Sequence, residues 1–366
     1  MNKSVLIAGA GPVGLSAALS LQSLGATVRI IDKAEGPPTE SRAIGINPRS
    51  LQIFDKLGLS NRIIEAGTRL NAMTLHRSNR IVASVNLGRL EHKRNFMIAL
   101  PQSHTVALLS EALEERGVAV EYGVELTDFE QNHTTVTCTL ASNDSVIVDR
   151  LLGTDGAHSI VRKTLELPFP GAAYENDWHL ADVRMTTPYA TDEVHINLLK
   201  GGLLLMITIG DGLWRIAANL PDVKKRIPEG CTITETVWES SFKISHRQVP
   251  TYQDGNVFLA GDAAHIHSPA GGRGMNLGIE DSWTFANLLA QSDEDRYSDL
   301  RHPVGQAVVK QTDLMTRIMS ARNPGLAFIR DWMFLPLIRI PAIQRAVAYR
   351  MTALDRVEAH DRGEGL

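Results

Sequence analysis

The chain has 366 residues, 43% hydrophobic and 21% charged, with a formal net charge of -4. At roughly 150 residues per domain, this length predicts two closely packed domains. The composition is that of an ordinary globular protein and argues against nucleic acid as a partner. Cys138 and Cys231 fit no metal-binding or CxxC spacing, so we expect reduced thiols and a cytoplasmic protein.

The sequence predicts neither a signal peptide nor a membrane-spanning segment. The most apolar stretch, residues 326–343, is interrupted by two arginines, one aspartate and two prolines, whereas about 20 apolar residues are needed to span a bilayer. The apolar, arginine-bearing stretch 333–354 could instead lie on a membrane surface. Helices of this kind usually pack against their own protein, however.

The first third of the chain has an α/β pattern. Residues 4–11 and 27–33 are apolar runs on either side of the helical spacing of 12–25, which predicts a βαβ unit. Residues 48–59 begin with a proline and predict a helix.

Farther along, residues 102–117 predict an amphipathic helix and 118–129 a strand.

The pattern changes between residues 170 and 250. Short apolar runs at 193–199, 203–209 and 214–220 are separated by glycine turns and predict an antiparallel sheet. Residues 256–265 then predict a buried strand and 277–291 an apolar helix, so the first domain resumes there.

A GxGxxG motif follows the first predicted strand and opens the first predicted helix. Gly9 permits a tight turn, Gly11 lets a pyrophosphate approach the backbone, and Gly14 lets helix and strand pack closely. Asp32, at the end of the next strand, is placed to accept hydrogen bonds from ribose hydroxyls. Together these features predict dinucleotide binding.

Two further stretches, 153-GTDGAHSIVRK-163 and 257-VFLAGDAAHIHSPAGGRGMNLGIEDS-282, each place an aspartate beside glycine where a strand ends. With 41-SRAIGINPRSLQIFDKLGL-59, they resemble the flavoprotein aromatic hydroxylases typified by para-hydroxybenzoate and phenol hydroxylases. The resemblance extends from residue 1 to about residue 350. It implies noncovalent FAD and NAD(P)H as electron donor, without a separate nicotinamide domain.

The resemblance also implies roles for individual residues. Asp262 matches the aspartate that holds the FAD ribityl and pyrophosphate region, Asp155 and Gly156 match the DG motif, Arg42 matches an arginine at the pyrophosphate, and Gln102 matches a glutamine near the flavin. The predicted cofactor-binding residues are Gly9, Gly11, Pro12, Val13, Gly14, Asp32, Lys33, Arg42, Gln102, Leu126, Asp155, Gly156, Gly261, Asp262, Pro269, Gly271, Gly272, Gly274, Met275 and Asn276.

Residue chemistry supports a flavin beside the loop 271–276. Its backbone N–H groups, together with the dipole of the helix that follows, suit the negative charge of reduced flavin. His265 and His267 lie two residues apart, but the sequence indicates no third ligand, so we expect a structural or flavin-side role for His265 and no metal.

The fold class expected from these patterns is α/β. It comprises a Rossmann-like FAD-binding domain, an interleaved antiparallel-sheet substrate domain and a C-terminal helical segment. The expected boundaries are 1–75, 96–170 and 251–320 for the FAD-binding domain, 76–95 and 171–250 for the substrate domain, and 321–366 for the helical segment.

The resemblance implies a monooxygenase that hydroxylates a small aromatic or phenolic substrate through a flavin C4a-hydroperoxide. No catalytic acid or base is identified, although His195, His246 or Tyr252 could approach the pocket. The alternatives are a flavin-dependent reductase or desaturase of an isoprenoid and a non-catalytic FAD-binding accessory protein. The sequence does not decide the oligomeric state, nor between NADH and NADPH.

Overall fold

The computed structural model describes residues 3–39, 43–268, 272–321 and 323–355. Its strands, in chain order, are β1 (Ser4–Ala8), β2 (Thr27–Asp32), β3 (Gly45–Ile46), β4 (Thr68–Leu70), β5 (Ala72–Arg77), β6 (Arg80–Asn86), β7 (Met97–Ala99), β8 (Val120–Tyr122), β9 (Leu126–Gln131), β10 (Val136–Leu140), β11 (Ser145–Val148), β12 (Arg150–Gly153), β13 (Gly171–Thr186), β14 (Glu193–Leu199), β15 (Gly202–Gly210), β16 (Leu213–Ala218), β17 (Thr232–Gln248), β18 (Gln253–Asp254), β19 (Val257–Leu259) and β20 (His265–Ile266).

The helices are α1 (Pro12–Ser23), α2 (Pro48–Lys56), α3 (Ser60–Ala66), α4 (Gln102–Glu114), α5 (Ile160–Thr164), α6 (Gly274–Gln291), α7 (Tyr297–Met319), α8 (Pro324–Ile329), α9 (Leu335–Ile338) and α10 (Pro341–Thr352). A π-helical turn, Arg330–Phe334, joins α8 to α9. Short 3-10 turns cover Leu87–Arg89, Val223–Arg226, Gly261–Ala263 and Glu294–Arg296.

A six-stranded sheet forms the first layer, in the order β18-β19-β12-β1-β2-β8. Its strands are parallel except for the β18–β19 pair. Val5, Leu6 and Ile7 of β1 are fully buried in a core cluster that includes residues of α1, α4 and α6 and of the three-stranded sheet β9-β10-β11.

An eight-stranded sheet forms the second layer, in the order β20-β17-β13-β16-β15-β14-β5-β6. Side chains alternate between its faces. Leu203 and Ile207 face a core cluster shared with the C-terminal helices, whereas Leu204 and Met206 face a separate cluster on the outer side. The long strand β17 pairs with β13 and with β20, and β20 closely follows Gly261-Asp262, here called the GD motif or GD turn.

The predicted α/β fold class is confirmed, with local differences. The helix predicted at 48–59 ends at Lys56, because Gly58 adopts φ +75°, and a second helix, α3, begins only at Ser60. The strand predicted at 118–129 is divided at Gly123, φ +72°, so β8 joins the six-stranded sheet and β9 joins β10 and β11. The strand predicted at 256–265 ends at Leu259, because Gly261 turns the chain with φ +61°.

Candidate active site

The turn after β1 is so tight that only glycine fits two of its positions. A Cβ on Gly9, whose φ is +107°, would lie 2.5 Å from the carbonyl oxygen of Thr154, and a Cβ on Gly14 would lie 1.9 Å from that of Gly9. At Gly11, in contrast, a Cβ would meet no atom of the described chain within 4 Å. Packing therefore accounts for Gly9 and Gly14, whereas the space beside Gly11 suits a ligand that approaches the backbone.

Asp32 lies beside this turn at the end of β2. Its carboxylate accepts hydrogen bonds from the backbone N–H of Ala10 at 2.7 Å and of Ala34 at 2.9 Å. A carboxylate has about four acceptor positions, so these bonds fix its orientation and still leave positions for ribose hydroxyls.

A cavity of about 940 Å³ extends from the glycine turn to the eight-stranded sheet. It brings together nine of the predicted cofactor residues: Gly11, Pro12, Val13, Gln102, Gly156, Asp262, Gly272, Gly274 and Met275. The described part of its wall does not include Gly9, Gly14, Asp32, Lys33, Leu126, Asp155, Gly261 or Asn276. Arg42, Pro269 and Gly271 lie outside the described residues.

The GD turn packs directly on the start of α1. A Cβ on Gly261 would lie 3.0 Å from a methyl group of Val13, and one on Gly278 would lie 2.4 Å from the same methyl group. Asp262 is exposed on the wall of the same cavity that Gly11 lines. An exposed carboxylate there is suited to accept hydrogen bonds from hydroxyl groups.

Asp281 of α6 holds the GD turn from behind. Its carboxylate accepts from Gly261 N at 3.1 Å, His265 Nε2 at 2.6 Å and Arg301 Nε at 2.8 Å. Burial opposes its ionisation, but Arg301 and the His265 ring hold the pKa of this carboxyl below its usual range. The sequence interpretation missed Asp281, although two successive acids in an otherwise apolar helix, Glu280 and Asp281, are a signal that could have identified it.

Asp155 and Gly156 of the DG motif have different surroundings. Gly156 lines the cavity, whereas the Asp155 carboxylate accepts from Ile160 N at 2.7 Å and Val161 N at 3.2 Å, at the start of α5. Burial raises the pKa of Asp155. Its contact with a cofactor therefore stays a prediction, and its visible role is to anchor the turn after β12.

Asn276 also acts on the backbone. Its side chain accepts from Asn47 N at 2.9 Å and donates to the carbonyl groups of Gly45 at 2.8 Å and Gly272 at 2.7 Å. It thereby fixes the chain before α6 against β3 and α2. Leu126 is buried in β9, so its predicted cofactor contact likewise stays a prediction.

The far part of the cavity is apolar. Its wall there is made by side chains from the eight-stranded sheet, from β4 and β7, and from α7 and α10: Leu70, Met73, Met97, Trp178, Leu180, Val194, Ile196, Leu203, Leu205, Ile207, Ala217, Phe242, Ile244, Met315, Met319 and Met351. This wall suits an aromatic or aliphatic ligand, and its methionines can adapt to irregular shapes.

One buried ion pair interrupts this apolar wall. Arg215 of β16 lines the cavity and is bonded to Asp182 of β13 through two contacts of 2.7 Å. The Arg215 guanidinium also lies 5.4 Å from the ring centre of Trp238. The sequence interpretation did not identify Arg215, because only strand alternation in the folded sheet shows which face it occupies.

The expectation that His195, His246 or Tyr252 approaches the pocket is wrong for the described cavity wall, which includes none of them. His195 lies on the opposite face of β14 from Val194 and Ile196, where its Nδ1 is 3.0 Å from Nε2 of His76. Tyr252 is fully buried, and its hydroxyl accepts from Gln248 at 2.8 Å.

His265 donates to Asp281, which agrees with a structural role for this ring. His267 lines the cavity, and burial together with the adjacent His265 lowers its pKa to about 4. Within the described ranges, no group of three or more His, Cys, Asp or Glu side chains is arranged to hold a metal ion. Likewise, no described helix is long and apolar enough to cross a membrane.

The chain matches a family model described as "FAD binding domain" over residues 2–201 and 214–312. It is 34% identical to 6-methylpretetramide 4-monooxygenase of Streptomyces rimosus, over 95% of this chain and 68% of that protein. It is 28% identical to pentachlorophenol 4-monooxygenase of Sphingobium chlorophenolicum, over 96% of this chain and 71% of that protein.

Among solved structures, the chain is similar to p-nitrophenol 4-monooxygenase of Pseudomonas putida DLL-E4. The TM-score is 0.85 at 21% identity, covering 97% of this chain and 100% of the other. This likeness shows the fold.

Proposed function

Because the chain belongs to the family of FAD-dependent aromatic hydroxylases and is an FAD-dependent monooxygenase, we propose that its substrate is a phenolic compound held in the apolar part of the cavity. The observation that carries this proposal is the continuity of one cavity. It joins the Gly11 and Asp262 turns to a wall of aromatic and aliphatic side chains.

The cofactor end fits FAD. The space beside Gly11 lies at the N-terminus of α1, which has no side-chain cap, so backbone N–H groups and the helix dipole are directed to a pyrophosphate. Asp32 would hold the adenosine ribose and Asp262 the ribityl region. FAD, when bound, supplies the redox chemistry that activates dioxygen with electrons from NAD(P)H, the donor typical of this family.

The substrate end would orient a ring and exclude water. Trp178 and Phe242 offer aromatic contacts, and the aliphatic side chains around them keep bulk water from the reacting atoms. Arg215, held by Asp182, would favour a phenolic oxygen beside the apolar side chains, and Lys243 and Arg247 add further positive charge to the cavity wall. We assign no proton transfer to a side chain.

A screen of phenols tests this function. We expect an active compound to accelerate NAD(P)H oxidation and to appear as a product that carries one oxygen atom from ¹⁸O₂. A reductase or desaturase of an isoprenoid would form product without isotope incorporation, and an accessory protein would oxidise no NAD(P)H. The named relatives are monooxygenases, so these alternatives are not favoured.

We place the reaction in the cytoplasm, since both cysteines are free thiols.

A further inference from the structure

The C-terminal helical segment presents an apolar face to solvent. Six large side chains between residues 328 and 340 are 45–71% exposed, and we call them the outer apolar face: Phe328, Ile329, Trp332, Met333, Leu337 and Ile340. The ring of Phe328 stacks on Trp332 with centroids 6.1 Å apart. Single exposed apolar residues are ordinary on a protein surface, but a cluster of this kind marks a surface that binds something.

The inward side of the same segment has the opposite character. Arg330 is buried and paired with Asp331, which also pairs with Arg77 of β5. Leu335 and Ile338 pack into the core cluster that includes Trp178 and Leu180 of the substrate wall. The segment is therefore anchored on its inner side by an ion-pair cluster and by core packing, and its outer face is not needed to hold it in place.

Basic residues are frequent in and around this segment. Residues 310–350 contain seven lysines or arginines and two aspartates, although Arg330 is buried and Arg317 and Arg345 are paired with carboxylates. Arg339 and Arg80 are both exposed, and neither has a carboxylate partner among the described residues. Arg339, Arg77 and Trp332 also line a groove of about 300 Å³ between β6 and α9.

We propose that the outer apolar face docks the enzyme on an anionic lipid bilayer, with its aromatic side chains in the interfacial region and Arg80 and Arg339 on lipid phosphates. An aromatic and aliphatic face bordered by arginines is the pattern of a segment that lies in the membrane interface. The segment does not span the bilayer. The helices on either side of it, α7 and α10, contribute Met315, Met319 and Met351 to the cavity wall, so docking brings the cavity close to a medium in which apolar aromatics dissolve.

Two other occupants fit less well. Residues 356–366, RVEAHDRGEGL, contain one valine and one leucine besides alanine, which is too little apolar surface for this segment to cover six large side chains. A symmetric dimer through this face would bring the same surface patch of both copies together, and with it Arg80 and Arg339 of both, so their like charges would repel.

Vesicle sedimentation of the FAD-loaded protein tests the proposal. We expect binding to vesicles of phosphatidylcholine with phosphatidylglycerol, weaker binding to phosphatidylcholine alone, and loss of binding as salt rises. Phe328→Ser combined with Trp332→Ser should lower the partition coefficient at least about tenfold. Arg80→Gln combined with Arg339→Gln should lower it by about the same factor on anionic vesicles only.

Ile147→Ser is the matched control, because it removes an equally exposed apolar side chain from the separate sheet that contains β11. It should bind vesicles as wild type does, and every variant should retain its FAD absorbance as evidence of folding. Absence of binding to anionic vesicles would overturn the proposal. A wild-type dimer that becomes monomeric in the Phe328/Trp332 variant without vesicle binding would assign the face to self-association instead. Neither outcome depends on the identity of the substrate.

Discussion

The two ends of the cavity are built by different means. At the cofactor end, the wall is largely backbone: glycine turns brought together and held from behind by buried polar side chains such as Asp281 and Asn276. At the substrate end, the wall is made of side chains projecting from a sheet. The first end fixes a shape that suits one cofactor, whereas the second can change residue by residue without a change in the fold.

Asp281→Asn should have the largest effect. It removes the charge that pairs with two fully buried groups, Arg301 and His265, and breaking such a cluster costs about 3–5 kcal/mol. Chemical denaturation of the apoprotein measures this loss. The matched variant is Asp262→Asn, in which the side chain is exposed on the cavity wall, so it should lower apoprotein stability far less than Asp281→Asn does while weakening FAD binding. Equal stability losses in both variants would contradict the assignment of Asp281 to holding the turn and of Asp262 to contacting FAD.

Arg215→Met tests the substrate end. It leaves the Asp182 carboxylate, whose side chain is 14% exposed, without its bidentate partner, and we expect a loss of about 2 kcal/mol of unfolding free energy. Adding Asp182→Leu should recover most of that loss, because the unpaired charge is removed. FAD affinity should remain at the wild-type value in both variants. A drop in FAD affinity would show that the two ends are not independent.

Gly11→Ala separates cofactor space from packing space. A Cβ at this position meets no described atom of the protein, so the melting temperature of the apoprotein should not change. The added methyl group would occupy the space assigned to the pyrophosphate, and FAD affinity should fall at least about tenfold, or ~1.4 kcal/mol. Titration of the apoprotein with FAD measures this change. An unchanged affinity would show that the pyrophosphate does not bind beside Gly11.

The last prediction concerns the outer face of the substrate sheet and depends on pH. Burial, and then the neighbouring His195, lower the pKa of His76 to about 4. The unfolded chain protonates this ring near pH 6.5, so between about pH 6.5 and 4 unfolding takes up a proton and stability falls as pH falls. His76→Asn should show a smaller drop in melting temperature from pH 7 to pH 5 than wild type. The same drop in melting temperature in both proteins would show that other groups cause the loss of stability in acid.

The same division between the two ends decides what the sequence could predict. Gly9, Gly11 and Gly14 could be predicted from the sequence, because the dinucleotide-binding turn needs glycine at fixed distances after a strand. The alternation of apolar and polar residues predicts the strands of the substrate sheet but not their order in the sheet. The pairing of Arg215 with Asp182 therefore could not be predicted. Asp281 was missed although two successive acids stand out in its apolar helix, because the sequence does not show that its carboxylate meets both the turn at Gly261 and Arg301.

The strand order of the six-stranded sheet has a consequence for how the protein is made. β1 pairs with β12, and β12 pairs with β19, so Val257–Leu259 must leave the ribosome before the edge at Leu151–Gly153 has a partner. Pairings this distant in sequence slow folding, because the entropy of closing a long loop is lost before the strand contacts can form and stabilise it. Until then the nascent chain carries an open parallel edge, which is a template for association with other chains. During synthesis of this enzyme that edge therefore stays unpaired until Val257–Leu259 has been made.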